Sequence, residues 1–189
     1  MTFCISAPLY PVSGIPDSLR NNANAVIREC NVTFTYHSLK HTTYNKRLVI
    51  TVLNNSGDAF AEFRSNYDRF SKTSFIKGSI YNADGQLIKK IKSSDIKDYS
   101  NASETALYED FRIKFYEPLL SVYPYTVEYE YETEIEGSFA FPHWLPVFGY
   151  NLSLQDADFT LIVPASYTFR SVENGIKQPA SSLSLIHIS

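Results

Sequence analysis

Residues 125–136 read YTVEYEYETEIE, and their side chains alternate between two chemical classes. One set consists of Tyr, Val, Thr and Ile, and the other consists of Thr126 and five glutamates. Successive side chains of a β-strand point to opposite faces, so the alternation predicts a long strand with one buried and one solvated face. Gly137 ends the pattern. The stretch places the chain in the β class but carries no catalytic motif.

Similar period-two patterns recur at short intervals along the chain. They predict further strands at residues 26–36, 44–53, 60–67, 75–81, 87–88, 111–115, 152–154, 159–163 and 167–169. Short helical turns are expected after Ser18 or Asp17, either of which would cap the turn, and near Ser93–Ile96. Closely spaced strands with few helices predict a mainly all-β fold, an antiparallel β-sandwich with short helical turns.

Three local patterns predict how the strands are arranged. The apolar run Leu48–Leu53 is typical of a central strand that is covered on both faces. Gly85, in the turn Asn82–Gln86, can adopt positive φ, so the flanking residues should form a hairpin. A short proline-containing loop separates residues 111–116 from 125–136, which predicts that these strands pair and that Arg112 and Lys114 lie on the glutamate face.

Composition excludes several classes of function. The chain has 189 residues and a net charge of −3, which gives no electrostatic basis for binding nucleic acid or an anionic membrane. Its two cysteines exclude a disulfide framework. No apolar run approaches the roughly 20 residues of a membrane-spanning helix.

Residues with catalytic or metal-binding chemistry each have a structural interpretation that we favour. Cys30 shares the parity of an apolar strand, Val26 to Tyr36, and is therefore expected in the core rather than as a nucleophile. His37 and His41 have the spacing of a helical zinc site, but they lie in a predicted turn without a third ligand. The glutamate row is expected to be a solvated face. We therefore predict no catalytic residues, no metal and no cofactor.

An aromatic stretch, residues 141–150, is the remaining candidate site. Two prolines exclude it from a central strand, and it carries the single Trp of the chain. A loop of this kind can stack on sugar rings or a peptide, or it can pack against the end of the sandwich. The candidate binding residues are Phe141, His143, Trp144 and Tyr150, together with Phe148.

Both ends of the chain differ from the predicted domain, which spans residues 15–180. Residues 1–14 are expected to be a leader, either the remnant of a signal peptide or a disordered segment. Residues 181–189 are expected to be non-native. After Ser181 they read SLSLIHIS, a sequence that resembles a translated sequencing adapter. The alternative is a native apolar tail that adds an edge strand.

Seven blocks, in order, resemble one protein family. They are Ile15–Leu19, Asn21–Ala25, Val52–Asp58, Ile76–Gly85, Ser94–Ile96, Tyr123–Tyr131 and Phe141–Trp144. The family is DUF3857, the β-sandwich that precedes transglutaminase-like domains in exported proteins of Bacteroidota-type bacteria. The resemblance covers roughly residues 15–175, and the motifs it rests on are turns, a hairpin and the tyrosine-rich strand.

This resemblance implies a non-catalytic accessory domain of an exported protein, in the periplasm or at the cell surface. The catalytic Cys-His-Asp set would belong to a downstream transglutaminase-like domain, and nothing in this chain matches it. The implied partner is that domain or another protein. The alternative function is a glycan- or peptide-binding module that uses the loop around Trp144, and a third hypothesis, an independent enzyme, would need a carboxylate and His143 to converge in a pocket.

Overall fold

A computed structural model of the chain describes residues 9–100, 111–137 and 144–167. Its ten described strands are β1 Ala25–Ser38, β2 His41–Val52, β3 Phe63–Tyr67, β4 Ser71–Tyr81, β5 Leu87–Ile91, β6 Lys97–Ser100, β7 Arg112–Tyr116, β8 Tyr125–Ile135, β9 Leu152–Leu154 and β10 Ala157–Ile162. The helices are α1 Asp17–Arg20 and three 3-10 helices, Val12–Gly14, Asn55–Ala61 and Ser93–Asp95.

The strands form two sheets, which confirms the predicted sandwich. The main sheet has the order β10-β1-β2-β8-β4-β5, with β9 also paired to β1, and the smaller sheet has the order β3-β7-β6. Most pairs are antiparallel, but β9 and β10 run parallel to β1. The main sheet is therefore mixed at one edge, a feature that the period-two pattern does not report because alternation is the same in both directions.

Strand β8 lies at the centre of the main sheet and pairs with β2 on one side and β4 on the other. Its Tyr125, Val127 and Tyr129 side chains are buried in the core between the two sheets. Strand β2 is also central, and Val49–Val52 are buried, as the apolar run predicts. The face assignment of the tyrosine-rich strand is therefore confirmed.

A bulge in β1 changes the predicted alternation of that strand. The pairing of β1 with β2 shifts between Ile27 and Glu29, which leaves Arg28 as the extra residue. The bulge reverses the side-chain phase, so Val26 packs on the outer face while Cys30 lies in the inner core. The expectation that Val26 and Cys30 share a face was wrong for this reason.

The predicted hairpin is present between β4 and β5. Gly85 has φ +80°, and its backbone carbonyl accepts a hydrogen bond from the Leu9 N–H at 2.9 Å. A Cβ at residue 85 would lie 2.5 Å from the Leu9 carbonyl oxygen. Glycine is therefore required here both by the turn and by the close approach of the N-terminal segment.

The predicted pairing of residues 111–116 with residues 125–136 was wrong. Strand β7 pairs with β3 and β6 in the smaller sheet, so Arg112 lies far from the glutamate face and its Nε bonds Asp98 at 3.0 Å. The eight-residue connection, 117–124, is longer than the usual hairpin loop. It is long enough to cross the roughly 10 Å between packed sheets.

Two shorter segments also differ from expectation. Phe60 belongs to the 3-10 helix Asn55–Ala61 rather than to β3, and this helix begins where the Asn54 side chain accepts a hydrogen bond from the Ser56 N–H. Helix α1 begins after Pro16 without a side-chain cap, so neither Ser18 nor Asp17 caps it.

The outer face of the main sheet is partly covered by the N-terminal segment. Val12 and Ile15 are buried against Val26, and the Val12 N–H bonds the Ala83 carbonyl at 2.9 Å. Residues 9–14, which were assigned to a leader, thus pack on the domain where the structure describes them. Tyr167 lies outside any strand, and residues 168–169 and 181–189 lie outside the described residues. In the described part of the chain, no helix is long and apolar enough to cross a membrane.

Candidate functional site at one end of the sandwich

The Cys30 thiol lies in the core, as its sequence context predicts. The residue is 2% exposed. Burial raises the pKa of the Cys30 thiol, and the charge of Lys46 only partly opposes this effect. A cysteine acts as a nucleophile through its thiolate, which an apolar site disfavours. Cys30 therefore has the environment of a packing residue.

The two closely spaced histidines lie at the turn between β1 and β2. Their rings stack with centroids 4.7 Å apart, and His37 Nε2 lies 3.1 Å from the Thr43 hydroxyl. Among residues 9–100, 111–137 and 144–167, no group of three His, Cys, Asp or Glu side chains has metal-binding geometry. The pair is consistent with surface histidines.

The glutamate face is divided into a bonded and a solvated part. Glu128 accepts hydrogen bonds from Arg47 at 2.8 Å and from the Tyr81 hydroxyl at 2.8 Å. Glu130 is exposed and lies 3.9 Å from Lys77. The prediction of a solvated face therefore holds at Glu130 but was wrong at Glu128, whose side chain is only 18% exposed.

The N-terminal segment that covers part of this face is held on the sheet by side-chain hydrogen bonds that the sequence patterns did not indicate. Arg47 also bonds Glu29 at 2.8 Å and the hydroxyl of Tyr10, a residue of the N-terminal segment. Burial raises the pKa of Tyr10 to about 12, so its hydroxyl stays protonated and can bond Glu29 or Arg47. Arg28, the bulge residue, bonds the Tyr10 and Pro11 carbonyls. These hydrogen bonds hold the N-terminal segment against the outer face of the main sheet.

The aromatic stretch divides into packed and exposed side chains. The Trp144 ring packs on Phe159 with centroids 5.7 Å apart. Its indole N–H is buried near the Cys30 sulfur but lacks the geometry of a hydrogen bond to it or to any other described group. Tyr150, in contrast, is 96% exposed. Phe141 and His143 lie outside the described residues, so the requirement of the independent-enzyme hypothesis, that His143 meet a carboxylate, is untested.

The 3-10 helix Asn55–Ala61 contacts two loops, the one before β8 and the one before β9. Its Asp58 carboxylate accepts hydrogen bonds from Tyr123 at 2.6 Å and from Tyr125 at 2.8 Å, which fixes the loop before β8. Its Phe60 ring contacts Phe148 edge-on, with centroids 6.1 Å apart, which fixes the loop before β9. Both loops are therefore held by one element.

These two loops carry a set of exposed apolar side chains that we call the apolar tip. Its members are Leu119, Val122, Leu145, Val147 and Tyr150. Leu119 and Leu145 are 83% and 73% exposed. Single exposed apolar side chains are common, whereas a contiguous exposed apolar patch is typical of an interaction surface. Sequence analysis identified Tyr150 and missed Leu119 and Val122, because a proline-flanked Leu-Leu pair does not reveal which side chain is buried.

One solved structure resembles this chain in fold at low sequence identity, and a second matches with a lower TM-score. A crystal structure named "putative protease" from Parabacteroides distasonis matches with a TM-score of 0.54 and 13% identity, over 61% of this chain and 24% of that chain. An M1 zinc metallopeptidase from Deinococcus radiodurans matches with a TM-score of 0.30 and 14% identity, over 81% of this chain and 37% of that chain. This chain thus spans about a quarter of the first structure and less than half of the second.

Comparison with protein families gives a more specific result. No curated protein matches the chain. A family model, described as a domain of unknown function with a solved structure, matches residues 40–184. This range covers most of the chain and includes β2 through β10. The resemblance drawn from the seven sequence blocks is therefore confirmed, and the chain belongs to the DUF3857 family.

Proposed function

We propose that this chain is a non-catalytic accessory domain that positions a following transglutaminase-like domain, or a partner protein, in an exported protein. The observation that carries the proposal is the apolar tip. Two loops that are both held by the 3-10 helix Asn55–Ala61 present apolar side chains to solvent, and exposing them costs free energy that docking would recover.

The environment of the reactive groups supports a non-catalytic role. Acyl or isopeptide transfer requires a thiolate beside a basic imidazole. Cys30 is buried with a raised thiol pKa, and its strand carries His37 seven residues further along, at the solvent-exposed turn. The downstream catalytic domain and the exported location are parts of the proposal that derive from the family resemblance.

The first experiment tests for catalysis by the chain itself. The purified chain should show no turnover of peptide, ester or glycan substrate panels, and the Cys30→Ser variant should behave identically. Turnover that disappears in Cys30→Ser would overturn the non-catalytic assignment.

The second experiment tests docking by the apolar tip. The full-length gene would supply the following domain, and binding between the two purified domains would be measured by calorimetry. We expect the double variant Leu145→Ser, Tyr150→Ser to weaken binding at least roughly tenfold, because exposed anchors of an interface often contribute more than 1 kcal/mol each. Leu39→Ser is the matched control, since Leu39 is equally exposed but lies at the β1–β2 turn. Equal losses in both variants would contradict a role for the tip.

A second candidate function, a glycan- or peptide-binding module, rests on Tyr150. Its ring is almost fully exposed and can stack on a sugar or a peptide side chain. The Trp144 ring packs on Phe159 instead. A glycan array that shows binding lost on Tyr150→Ala would favour this function over docking.

A further inference from the structure

A groove of about 300 Å³ opens between the main sheet and the edge of the smaller sheet. Its apolar walls come from β2, β3, β8, the 3-10 helix Asn55–Ala61 and the loop before β9, and include Phe60, Phe63, Tyr131 and Phe148. The groove runs beside β3, which pairs with β7 on one side and with no described strand on the other. This volume lies at the lower end of the roughly 300–1,000 Å³ of small-ligand pockets.

The aromatic walls are fixed by contacts with one another. Phe63 packs edge-on against Tyr131, with centroids 5.2 Å apart, and against Tyr129 at 5.4 Å. Phe60 in turn contacts Phe148. A flat apolar group that entered the groove would meet ring faces and edges already in position, so that little ordering of the protein would oppose binding.

Charge in the groove is not balanced. Its lining includes two cations, Lys46 and Arg64, and one carboxylate, Glu62. Glu62 is bonded by Arg64 at 3.2 Å. Lys46 is half-buried on the inner face of β2, directly opposite Tyr131, and no described carboxylate lies within ion-pair distance of it. A half-buried lysine without a described counter-charge, next to apolar walls, is complementary to an anion that carries an apolar body.

We propose that this groove binds a carboxylate attached to an aromatic group, with the ring between Phe60, Tyr131 and Phe148 and the carboxylate at Lys46. Two sources share this chemistry, namely a free aromatic acid and the C-terminal aromatic residue of a peptide. Through Phe148 the groove shares the loop before β9 with the apolar tip, but ligand binding in the groove does not depend on the proposed docking of a following domain.

The binding test compares acids with their uncharged amides on the full chain. The probes are 3-phenylpropionate against 3-phenylpropionamide, and acetyl-Ala-Ala-Phe against the same peptide as its C-terminal amide, titrated by NMR at low salt. We expect each acid that fits to bind roughly tenfold or more tightly than its amide, since the amide oxygen carries no negative charge to pair with the Lys46 ammonium. Binding of the free acid alone assigns the small-molecule source, and binding of the peptide alone assigns the chain end.

Matched variants connect the binding to the named residues. Lys46→Met keeps the apolar stem and should abolish the difference between acid and amide, whereas Lys77→Met, on the opposite face of the main sheet, should preserve it. Phe148→Ala should weaken acid and amide alike, whereas Leu39→Ala should weaken neither. Melting curves would establish that each variant is folded. If a variant does not fold, the comparison of acid with amide on the unaltered chain still tests the proposal.

Three results would overturn the proposal. They are the absence of saturable binding of both acids by the folded chain at millimolar concentration, equal affinity for acid and amide, and an undiminished preference for the acid in Lys46→Met.

Discussion

The inner and outer faces of β8 belong to one strand but differ in how completely the rest of the molecule covers them. On the inner face, Tyr125, Val127 and Tyr129 are all buried by the smaller sheet and the 3-10 helix. On the outer face, the N-terminal segment covers the strand as far as Glu128, whereas Glu130 is exposed. Alternation along a strand therefore predicts which side chains share a face, whereas burial depends on what packs against that face.

The same difference explains the chemistry of the two faces. Burial raises the pKa of the Tyr129 hydroxyl, which donates a hydrogen bond to the Ala61 carbonyl at 2.7 Å and stays neutral. Glu128 can remain in a partly buried position because Arg47 and Tyr81 supply donors to its oxygens. Polar groups tolerate burial when their hydrogen bonds are satisfied, and each face meets this condition differently.

The largest expected effect tests the two faces directly. Tyr129→Ala should lower the free energy of unfolding by about 3–5 kcal/mol, since it removes a buried aromatic ring and leaves a cavity. Glu130→Ala should change it by less than about 0.5 kcal/mol, as exposed substitutions usually do. Urea unfolding of both variants measures the difference. Similar losses in the two variants would show that the outer face is covered beyond Glu128.

An intermediate effect is expected at Glu128, which shares a face with Glu130 but is only 18% exposed in its side chain. Glu128→Ala would leave the Tyr81 hydroxyl and part of the Arg47 guanidinium without partners, so we expect a loss of about 1–3 kcal/mol. The same urea measurement applies, with Glu130→Ala as the matched control. A loss no larger than that of the control would mean that the N-terminal cover does not exclude water.

Sequence patterns predicted the strands well because each depends on its own residues. The tyrosine-rich strand, the hairpin at Gly85 and the central position of β2 all follow from local alternation or turn chemistry. Sheet membership did not follow, because β7 and β8 have patterns that suit either sheet and a loop long enough to cross between them. The bulge at Arg28 could not be predicted either. A single polar residue also occurs in regular strands, where the alternation of side chains between the two faces continues unchanged.

The candidate site was only partly predictable for a similar reason. Trp144 and Tyr150 were identified by residue type, but type did not distinguish the ring that packs on Phe159 from the ring that faces solvent. The groove at Lys46 was not foreseen. Its lining comes from segments that are distant in sequence, and none of the described carboxylates there pairs with Lys46. A local sequence pattern contains no information about such an arrangement.

The smallest expected effect concerns the exposed end of the glutamate face, where cross-strand charge replaces packing. Lys77 of β4 lies opposite Glu130, but their charged atoms are 3.9 Å apart and both side chains are mostly exposed. Exposed pairs of this kind contribute about 0–1 kcal/mol, because solvent screens the charges and both side chains lose conformational freedom. A double-mutant cycle with Lys77→Ala and Glu130→Ala should therefore give a coupling free energy of only a few tenths of a kcal/mol, decreasing further at high salt. A coupling above about 1 kcal/mol that persists in high salt would mean that this end of the face is shielded from solvent, and the contrast between the covered and solvated parts of β8 would no longer hold.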